Sequence, residues 1–223
     1  TDNSSFIDKL SASIDFGYSI TKANTLQQLS LRSNISYTTR KWKFYIGANT
    51  ITSSQDNGPD TKRSDGSIGV DYFLTHNYFI SAKNDFLSND EQDLKLRSVT
   101  SLGLGKFLIR TNKLYWGFVL GVAYNNETYT VETTPSKSSE EGLISMMFNA
   151  FDTGDLSFST SIVAFPSFTE SGRIRSDFKA DLKYDLPLDF YIGFGATYNY
   201  DNQPSEGASE SDYVLQTTIG WSL

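Results

Sequence analysis

The chain has 223 residues and a formal net charge of −7, and aromatic side chains make up 14% of it. Its lack of cysteine excludes a disulfide framework and thiolate metal sites. An acidic chain is also a poor partner for nucleic acid. No window of about 18 consecutive apolar residues predicts a membrane-spanning helix, and the length suffices for one large all-β domain.

Apolar and polar residues alternate along most of the chain with a period of two. From Leu114 to Tyr124 the even positions are apolar, and the odd positions between them are smaller or more polar. This period predicts an extended strand with one apolar face. Together with turn signals, the alternation predicts about twelve strands. In chain order they lie near residues 10–20, 27–38, 42–52, 66–74, 78–87, 94–107, 114–126, 141–151, 156–165, 173–185, 190–200 and 212–222.

The connections between these strands fall into short turns and longer polar loops. The loops at 53–65, 127–140 and 201–211 are rich in Ser, Gly, Asp, Glu and Pro, whereas 39–41 and 187–189 are typical of the short turns. Short turns at one end and long loops at the other match the periplasmic and extracellular ends of an outer-membrane barrel. We therefore expect both termini to lie in the periplasm.

A dyad repeat of this length and frequency is typical of a transmembrane β-barrel. The predicted fold class is all-β, a single antiparallel up-and-down transmembrane barrel of about 12 strands. Residues 10–223 would form the outer-membrane barrel domain, and residues 1–9 a periplasmic N-terminal tail. No signal peptide is visible at Thr1, so we expect the mature form of a protein exported to the bacterial outer membrane.

Aromatic residues collect at the predicted strand ends, as expected for girdles at two lipid–water boundaries. The predicted periplasmic girdle consists of Tyr37, Trp42, Tyr72, Tyr78, Trp116 and Trp221. The predicted extracellular girdle includes Tyr124, Tyr198 and Tyr213. These side chains would contact outer-membrane lipid and lipopolysaccharide.

A soluble β-sandwich or a lipocalin-like barrel with its apolar face inward is the main alternative fold. The outer face of such a protein should be dense in Lys and Glu, yet the polar face here is mostly Ser, Gly, Asn and Thr. The apolar face also carries more large residues than a small core needs. The membrane barrel is therefore the favoured interpretation.

Four segments carry a likeness to a known family: Leu94–Gly105, Tyr72–Thr75, Gly121–Glu127 and the final hairpin, Leu186–Trp221. They resemble the bacterial salt-induced outer-membrane proteins, a domain family of unknown function, and the likeness extends from about Phe16 onward. The resemblance implies an outer-membrane barrel without established chemistry. It carries over no catalytic residue.

Charged residues occupy every second position of predicted strand ten, from Arg173 to Asp185. An Arg or Lys on the lipid face costs about 2–4 kcal/mol at mid-membrane, so we expect these positions to face the lumen. The predicted pore-lining residues are Arg32, Lys83, Lys95, Arg97, Arg173, Arg175, Asp177, Lys179, Asp181 and Lys183. Further inward charges are predicted at Asp15, Lys43, Asp71, Asp85, Glu141 and Asp212.

Two interpretations of these charges stay open. Buried charges tend to be paired, so a salt-bridge network would stiffen and fill the barrel. Alternatively, the charges line a pore that selects polar or ionic solutes. Twelve strands lie between the roughly 8 that side chains fill and the roughly 16–18 that leave a water channel, which predicts a narrow or plugged lumen. The basic residues of strand ten, with Lys83, Lys95 or Arg97 opposite, would favour small anions.

Enzymatic and metal-binding roles have weak support in the sequence. The single histidine, His76, lies in a predicted turn beside Asn77, and an acid–base role would depend on Asp177 or Asp181 in the lumen. The acidic run at 89–93 lacks the ligand spacing and the glycine of an EF-hand. We therefore predict no enzyme activity, no cofactor and no metal site.

The first functional hypothesis is a narrow passive pore whose partners are small ions or polar solutes. The alternative is a non-conducting structural or interaction barrel, plugged by a salt-bridge network, whose loops bind an unknown protein partner. Conductance in planar bilayers separates the two hypotheses.

Overall fold

The computed structural model describes residues 6–21, 26–54, 59–130, 135–204 and 208–222. Twelve strands account for most of these residues, and the helices among them are short 3₁₀ turns. None of the helices in the described ranges is long and apolar enough to span a membrane. The strands are β1 (Leu10–Thr21), β2 (Leu26–Thr38), β3 (Trp42–Ser54), β4 (Thr61–Phe73), β5 (Tyr78–Asn89), β6 (Leu94–Arg110), β7 (Leu114–Tyr129), β8 (Lys137–Thr153), β9 (Leu156–Pro166), β10 (Ile174–Asp185), β11 (Phe190–Asp201) and β12 (Ser211–Ser222).

The strands form one closed barrel in which each strand pairs with its neighbours in sequence and β12 pairs with β1. All of the junctions are antiparallel. This confirms the predicted single antiparallel barrel of twelve strands. We call the end with the short turns, which also holds Leu10 and Ser222, the turn end, and the opposite end the loop end.

The outer face of the barrel is apolar. On β7, Leu120 is 53% exposed and Val122 is 56% exposed, whereas Val119 and Asn125 on the opposite face are 5% and 0% exposed. A soluble barrel buries its large apolar side chains and exposes its charges, so the arrangement here is the inverse. The soluble sandwich or lipocalin-like alternative is therefore wrong for this chain.

Several strands extend farther toward the loop end than the alternation predicts. β4 begins at Thr61 rather than near 66, and β8 begins at Lys137 rather than near 141. Arg63 of β4 pairs with Ile51 on one side and with Asn89 on the other. Polar residues continue the sheet here because neighbouring strands satisfy their backbone hydrogen bonds. The apolar pattern therefore ends before the strand does.

One sector of the lumen is filled by apolar side chains, although the pattern predicts a polar inner face of mostly small residues. The buried members of this apolar sector, on β5–β9, are Phe79, Val99, Val119, Ala123, Leu143 and Phe165. Except for Phe165, which follows the inward Val163, their inward neighbours on the same strand are glycines or polar residues, as Gly117 and Gly121 are on either side of Val119. The alternation of any one strand therefore does not reveal them.

Two inward tyrosines each lie over a glycine of the next strand near the turn end. Tyr45 pairs with Gly69, and Tyr191 pairs with Gly220. A Cβ atom on either glycine would overlap the ring of its partner, so only glycine fits. Each ring consequently lies along the barrel wall rather than across the lumen.

The predicted N-terminal tail is described from Phe6 onward. A 3₁₀ turn at Ile7–Lys9 leads into β1, and the Phe6 ring stacks on Tyr37 with 5.0 Å between the ring centroids. Residues 1–5 of the tail and parts of the predicted polar loops lie outside the described residues. Which end of the barrel faces the periplasm stays a prediction.

Candidate functional site

A cavity of about 720 Å³ occupies the middle of the barrel. We call it the lumenal cavity. One of its walls is the apolar sector of β5–β9, and the other carries charges from β1, β2, β4, β5 and β10. The charged side chains in the lining are Asp15, Arg32, Arg63, Asp65, Asp71, Lys83, Asp85, Asp177, Lys179, Asp181 and Lys183.

Each basic side chain in this lining has a carboxylate as an ion-pair partner. Arg32 donates to Asp181 Oδ1 over 2.5 Å and to Gln216 Oε1 over 2.8 Å, and Arg63 pairs with Asp212. The distances from the lysine Nζ to a carboxylate oxygen are 2.8 Å for Lys83–Asp85, 2.9 Å for Lys183–Asp185 and 3.6 Å for Lys179–Asp65. The basic charges of the cavity are therefore compensated locally.

Three carboxylates of the lining have no such ion pair within the described part of the chain. Asp15 accepts a hydrogen bond from Tyr191 Oη over 2.5 Å, and Asp177 accepts one from Asn199 Nδ2 over 2.5 Å. Asp71 Oδ1 is buried without a hydrogen-bond partner. Tyrosine and asparagine are neutral donors, so they orient these carboxylates without cancelling their charge.

A second group of charges lies at the loop end of the barrel, and we call it the loop-end cluster. Its members are Arg63, Arg97, Glu127, Glu141, Arg173, Arg175, Asp201 and Asp212. None of these residues is more than 9% exposed. They are contributed by the loop-end halves of seven strands and by the residue just before β10, so the cluster exists only when the barrel is closed.

Arg173 is the most connected residue of the cluster. Its Nη2 donates to Glu127 Oε1 over 2.9 Å and to Asp201 Oδ2 over 2.5 Å. Its Nη1 donates to Glu170 Oε2 over 2.5 Å. Burial by itself lowers the pKa of Arg173, but the hydrogen bond to Asp201 and the charge of Glu127 outweigh it and raise that pKa above its usual value. The guanidinium therefore stays charged.

Further ion pairs carry the cluster across the barrel. Arg175 contacts Glu141 at two points, with 3.0 Å from Nε to Oε1 and 2.5 Å from Nη2 to Oε2. Arg63 on β4 donates to Asp212 on β12 and, over 2.6 Å, to Asn199 on β11. Because β4 is adjacent to neither β11 nor β12 in the barrel, these hydrogen bonds cross the lumen.

The structure divides the predicted pore-lining residues into groups. Those in the lining of the lumenal cavity are Arg32, Lys83, Asp177, Lys179, Asp181 and Lys183. Arg97, Arg173 and Arg175 are instead buried in the loop-end cluster, paired with carboxylates. The two interpretations of the charges therefore apply to different levels of the same barrel.

Lys95 requires a correction. The alternation places it inward with Arg97, but β6 is irregular at this position, since Leu94 pairs with Tyr129 and Leu96 pairs with Thr128. One extra residue in a strand shifts the facing of its neighbours. Leu94 is consequently buried, whereas Lys95 is exposed and does not line the cavity.

Arg63, Glu127 and Asp201 are functional candidates that the sequence prediction missed. All three lie in or beside stretches that were assigned to polar loops. The alternation could have indicated them, because each lies at an inward position if its strand is continued, as Arg63 does two residues before Asp65. The polar composition of these stretches indicated loops instead of strands.

The predicted girdle residues lie on the outer face of the barrel. Seven of them are between 38% and 72% exposed, namely Trp42, Tyr78, Trp116, Tyr124, Tyr198, Tyr213 and Trp221. Tyr37 and Tyr72 are partly buried, and the rings of Phe6 and Trp42 pack against them. Contact of these rings with lipid stays a prediction.

His76 lies in the exposed turn at Thr75–Asn77 with a positive φ of 58°. In the acidic run, a 3₁₀ turn at Asp90–Gln92 follows Asn89, whose side chain accepts a hydrogen bond from the Glu91 backbone N–H. Among the described residues, no group of three or more His, Asp or Glu side chains is placed to hold a metal ion.

A closed antiparallel barrel with an apolar exterior and a charged lumen defines the class of porin-like outer-membrane β-barrels. The chain belongs to the family described as "Protein of unknown function, DUF481", whose model matches residues 14–223. That description names no activity, so the salt-induced name stays a prediction. No curated protein matches the sequence.

Several solved structures resemble this barrel. The NanC porin has a TM-score of 0.52 and 10% identity, with 95% of this chain and 97% of that chain covered. The KdgM porin has a TM-score of 0.48 and 9% identity, with 95% and 99% covered. The translocator domain of the autotransporter NalP from Neisseria meningitidis has a TM-score of 0.47 and 10% identity, with 99% and 89% covered. At this identity, the likeness to NanC shows the fold alone.

Proposed function

We propose that this chain is an integral protein of the bacterial outer membrane and forms a narrow passive channel for small polar or charged solutes. The cavity of about 720 Å³ with charged side chains in its wall carries the proposal. The side chain of Lys179 is 50% exposed and that of Asp181 is 40% exposed, so solvent reaches the cavity. The apolar outer face supports the membrane location, because each Å² of apolar surface in water costs about 25 cal/mol.

The proposed path follows one side of the barrel. The apolar sector fills the β5–β9 side, and the loop-end cluster occupies the cross-section between β4–β8 and β10–β12. The opposite side offers small groups in the cavity wall, among them Gly47, Ser67, Gly193 and Gly195. Solutes would therefore pass beside the cluster rather than through it, and large solutes would be excluded.

A non-conducting barrel is the second candidate. The hydrogen bonds from Arg63 to Asp212 and Asn199 cross the lumen, and buried ions with this degree of pairing favour a fixed plug. In this case the barrel would act through its loops, which would bind a protein partner.

We also propose that the loop end faces outward and that both termini lie in the periplasm, since long polar loops are typical of the extracellular end. The aromatic residues of the outer face would then contact lipid and lipopolysaccharide. The proposal includes no catalytic step and no cofactor.

Single-channel recording in planar bilayers tests the channel against the plug. We expect the wild-type barrel to give small, uniform conductance steps. The double variant Arg63→Ala/Asp212→Ala removes a crossing ion pair without leaving either charge alone, and we expect larger steps from it. Arg40→Ala, in an exposed turn, is the matched control and should conduct like the wild type. Conductance steps from the double variant but not from the wild type would favour the plug. The absence of conductance from both proteins would contradict the channel.

A further inference from the structure

We propose that the lumenal cavity selects cations over anions, an inference that rests on the channel function proposed above. The row of basic residues on β10 favours anions when the sequence is considered alone. The ion pairs in the barrel reverse this expected anion preference.

The basic residues of β10 do not present free positive charge to the cavity. Arg175 is buried against Glu141, outside the cavity lining. Lys179 and Lys183 line the cavity, but their ammonium groups lie 3.6 Å and 2.9 Å from Asp65 and Asp185. An anion that enters the cavity therefore meets bases whose charge is already compensated by a neighbouring carboxylate.

Arg32 and Lys83, the cavity bases on neighbouring strands, are compensated as well. Arg32 lies opposite Asp15 on β1, but its guanidinium donates to Asp181 and Gln216 across the lumen. Lys83 lies 2.8 Å from Asp85. With Arg63 held by Asp212, no basic group in the described lining is left without an ion pair.

Unlike the basic groups, three carboxylates of the described lining have no ion pair. The neutral donors Tyr191 and Asn199 hold Asp15 and Asp177, and Asp71 Oδ1 has no hydrogen-bond partner among the described residues. The lining contains six aspartates and five basic side chains. Lys43 on β3 lies opposite Asp71 and offsets part of its charge. The charge that remains after pairing is therefore negative and lies mainly on Asp15 and Asp177.

A narrow cavity with low-dielectric walls strengthens the effect of this residual charge. Walls of low dielectric focus the field of a charged lining, and rings of Asp or Glu select cations in channels. The apolar sector of β5–β9 supplies such a wall. The chemical class that fits is a small monovalent cation or a small organic ammonium, since bulky cations would not pass the loop-end cluster.

The reversal potential in a KCl gradient measures the proposed selectivity. We expect wild-type channels to prefer K⁺ over Cl⁻. Asp71→Asn should lower the K⁺/Cl⁻ permeability ratio by roughly 30-fold, because one unit charge about 4 Å away changes the population of each ion about fivefold in a water-like dielectric, in opposite directions for K⁺ and Cl⁻. Asp155→Asn, in an exposed turn outside the cavity lining, is the matched control and should leave the ratio unchanged. Folding of each variant is verified by its heat-dependent gel shift in detergent. A wild-type preference for Cl⁻ would overturn the proposal.

A thiol assay tests the selectivity without any need for conductance. The chain has no cysteine, so Ser67→Cys places a single thiol in the cavity lining, and Thr75→Cys places one in an exposed turn. At each position we measure the rate of a cationic methanethiosulfonate divided by the rate of an anionic one. We expect this rate ratio to be higher at residue 67 than at residue 75. The preference should fall when Asp71→Asn is added.

The two assays keep the cation preference separate from the channel function. A barrel that does not conduct but retains the cationic preference at residue 67 would contradict the channel and leave the selectivity of the cavity standing. Equal relative rates at the two positions would overturn the selectivity, and so would a thiol at residue 67 that neither reagent reaches.

Discussion

At the scale of single residues, the buried arginines set the character of the loop end. Arg173 and Arg175 are 1% and 2% exposed, and each donates to carboxylates at more than one point. An ion that loses its partner in such a place costs far more than the pair contributed. Each member of the loop-end cluster therefore depends on the others.

Replacing Arg173 by Gln tests this dependence. Glu127 and Asp201 keep their charges but lose one of the two arginines that donate to both of them, and Arg97 alone is left. We therefore expect the free energy of unfolding to fall by about 3–5 kcal/mol. Urea unfolding in lipid vesicles, followed by tryptophan fluorescence, measures the change. Arg40→Gln, in an exposed turn, should alter stability by no more than about 0.5 kcal/mol. Equal effects of the two changes would show that the cluster does not stabilise the barrel.

The tyrosine–glycine pairs give a second prediction at this scale. Gly69→Ala places a Cβ in the ring of Tyr45, so we expect a loss of about 1–3 kcal/mol from overpacking. Gly66→Ala, on the same strand, brings its Cβ only to 3.4 Å from the nearest atom, Gly47 O, and is the matched control. Adding Tyr45→Ala to Gly69→Ala should restore part of the loss, and the absence of any restoration would show that the ring is not the cause.

At the scale of elements, the alternation predicts how many strands there are and which way most of them face. It does not predict where they end, because backbone pairing rather than side-chain polarity extends β4 to Thr61 and β8 to Lys137. It also fails at Lys95, since the sequence around this residue alternates perfectly and the irregular pairing becomes visible only against β7.

The sequence alone predicts which residues of β10 face the lumenal cavity, but not which residues they pair with. The inward facing of Lys179 and Asp181 follows from strand ten alone, because their neighbours are apolar or small. The sequence does not predict their ion-pair partners, since Arg32, which donates to Asp181, lies 149 residues away in the chain. The sign of the selectivity depends on such pairs, and no local pattern contains them.

The junction between β1 and β12 has the fewest residue pairs of the barrel junctions in the described part of the chain. It is paired over four residue pairs, from Ser13↔Ser222 to Phe16↔Ile219, whereas the β6–β7 junction continues along nearly the whole length of both strands. Backbone groups without partners are costly in lipid. We expect backbone amides of β12 that point toward β1 and precede Ile219 in the chain to exchange hydrogen faster than those between β6 and β7. Residue-resolved exchange by NMR measures this, and uniform protection around the barrel would contradict it.

At the scale of the whole molecule, the barrel is divided both across and along its axis. Across the axis, the apolar sector fills one side and the charged lumenal cavity occupies the other. Along the axis, the loop-end cluster separates the cavity from the loops. A salt-bridge network and a cavity with a charged lining are thus present in one lumen. The proposed narrow channel requires that water fill this cavity.

Labelling of two adjacent residues in lipid vesicles tests this central claim most directly. Ser161 lines the cavity, whereas Ile162 on the same strand is 46% exposed on the outer face. In a chain without other cysteines, we expect Ser161→Cys to react with a water-soluble maleimide and Ile162→Cys to stay protected until the protein is unfolded. Reaction at residue 162 with protection at residue 161 would mean that the apolar face meets water and the charged face does not, which would contradict the account.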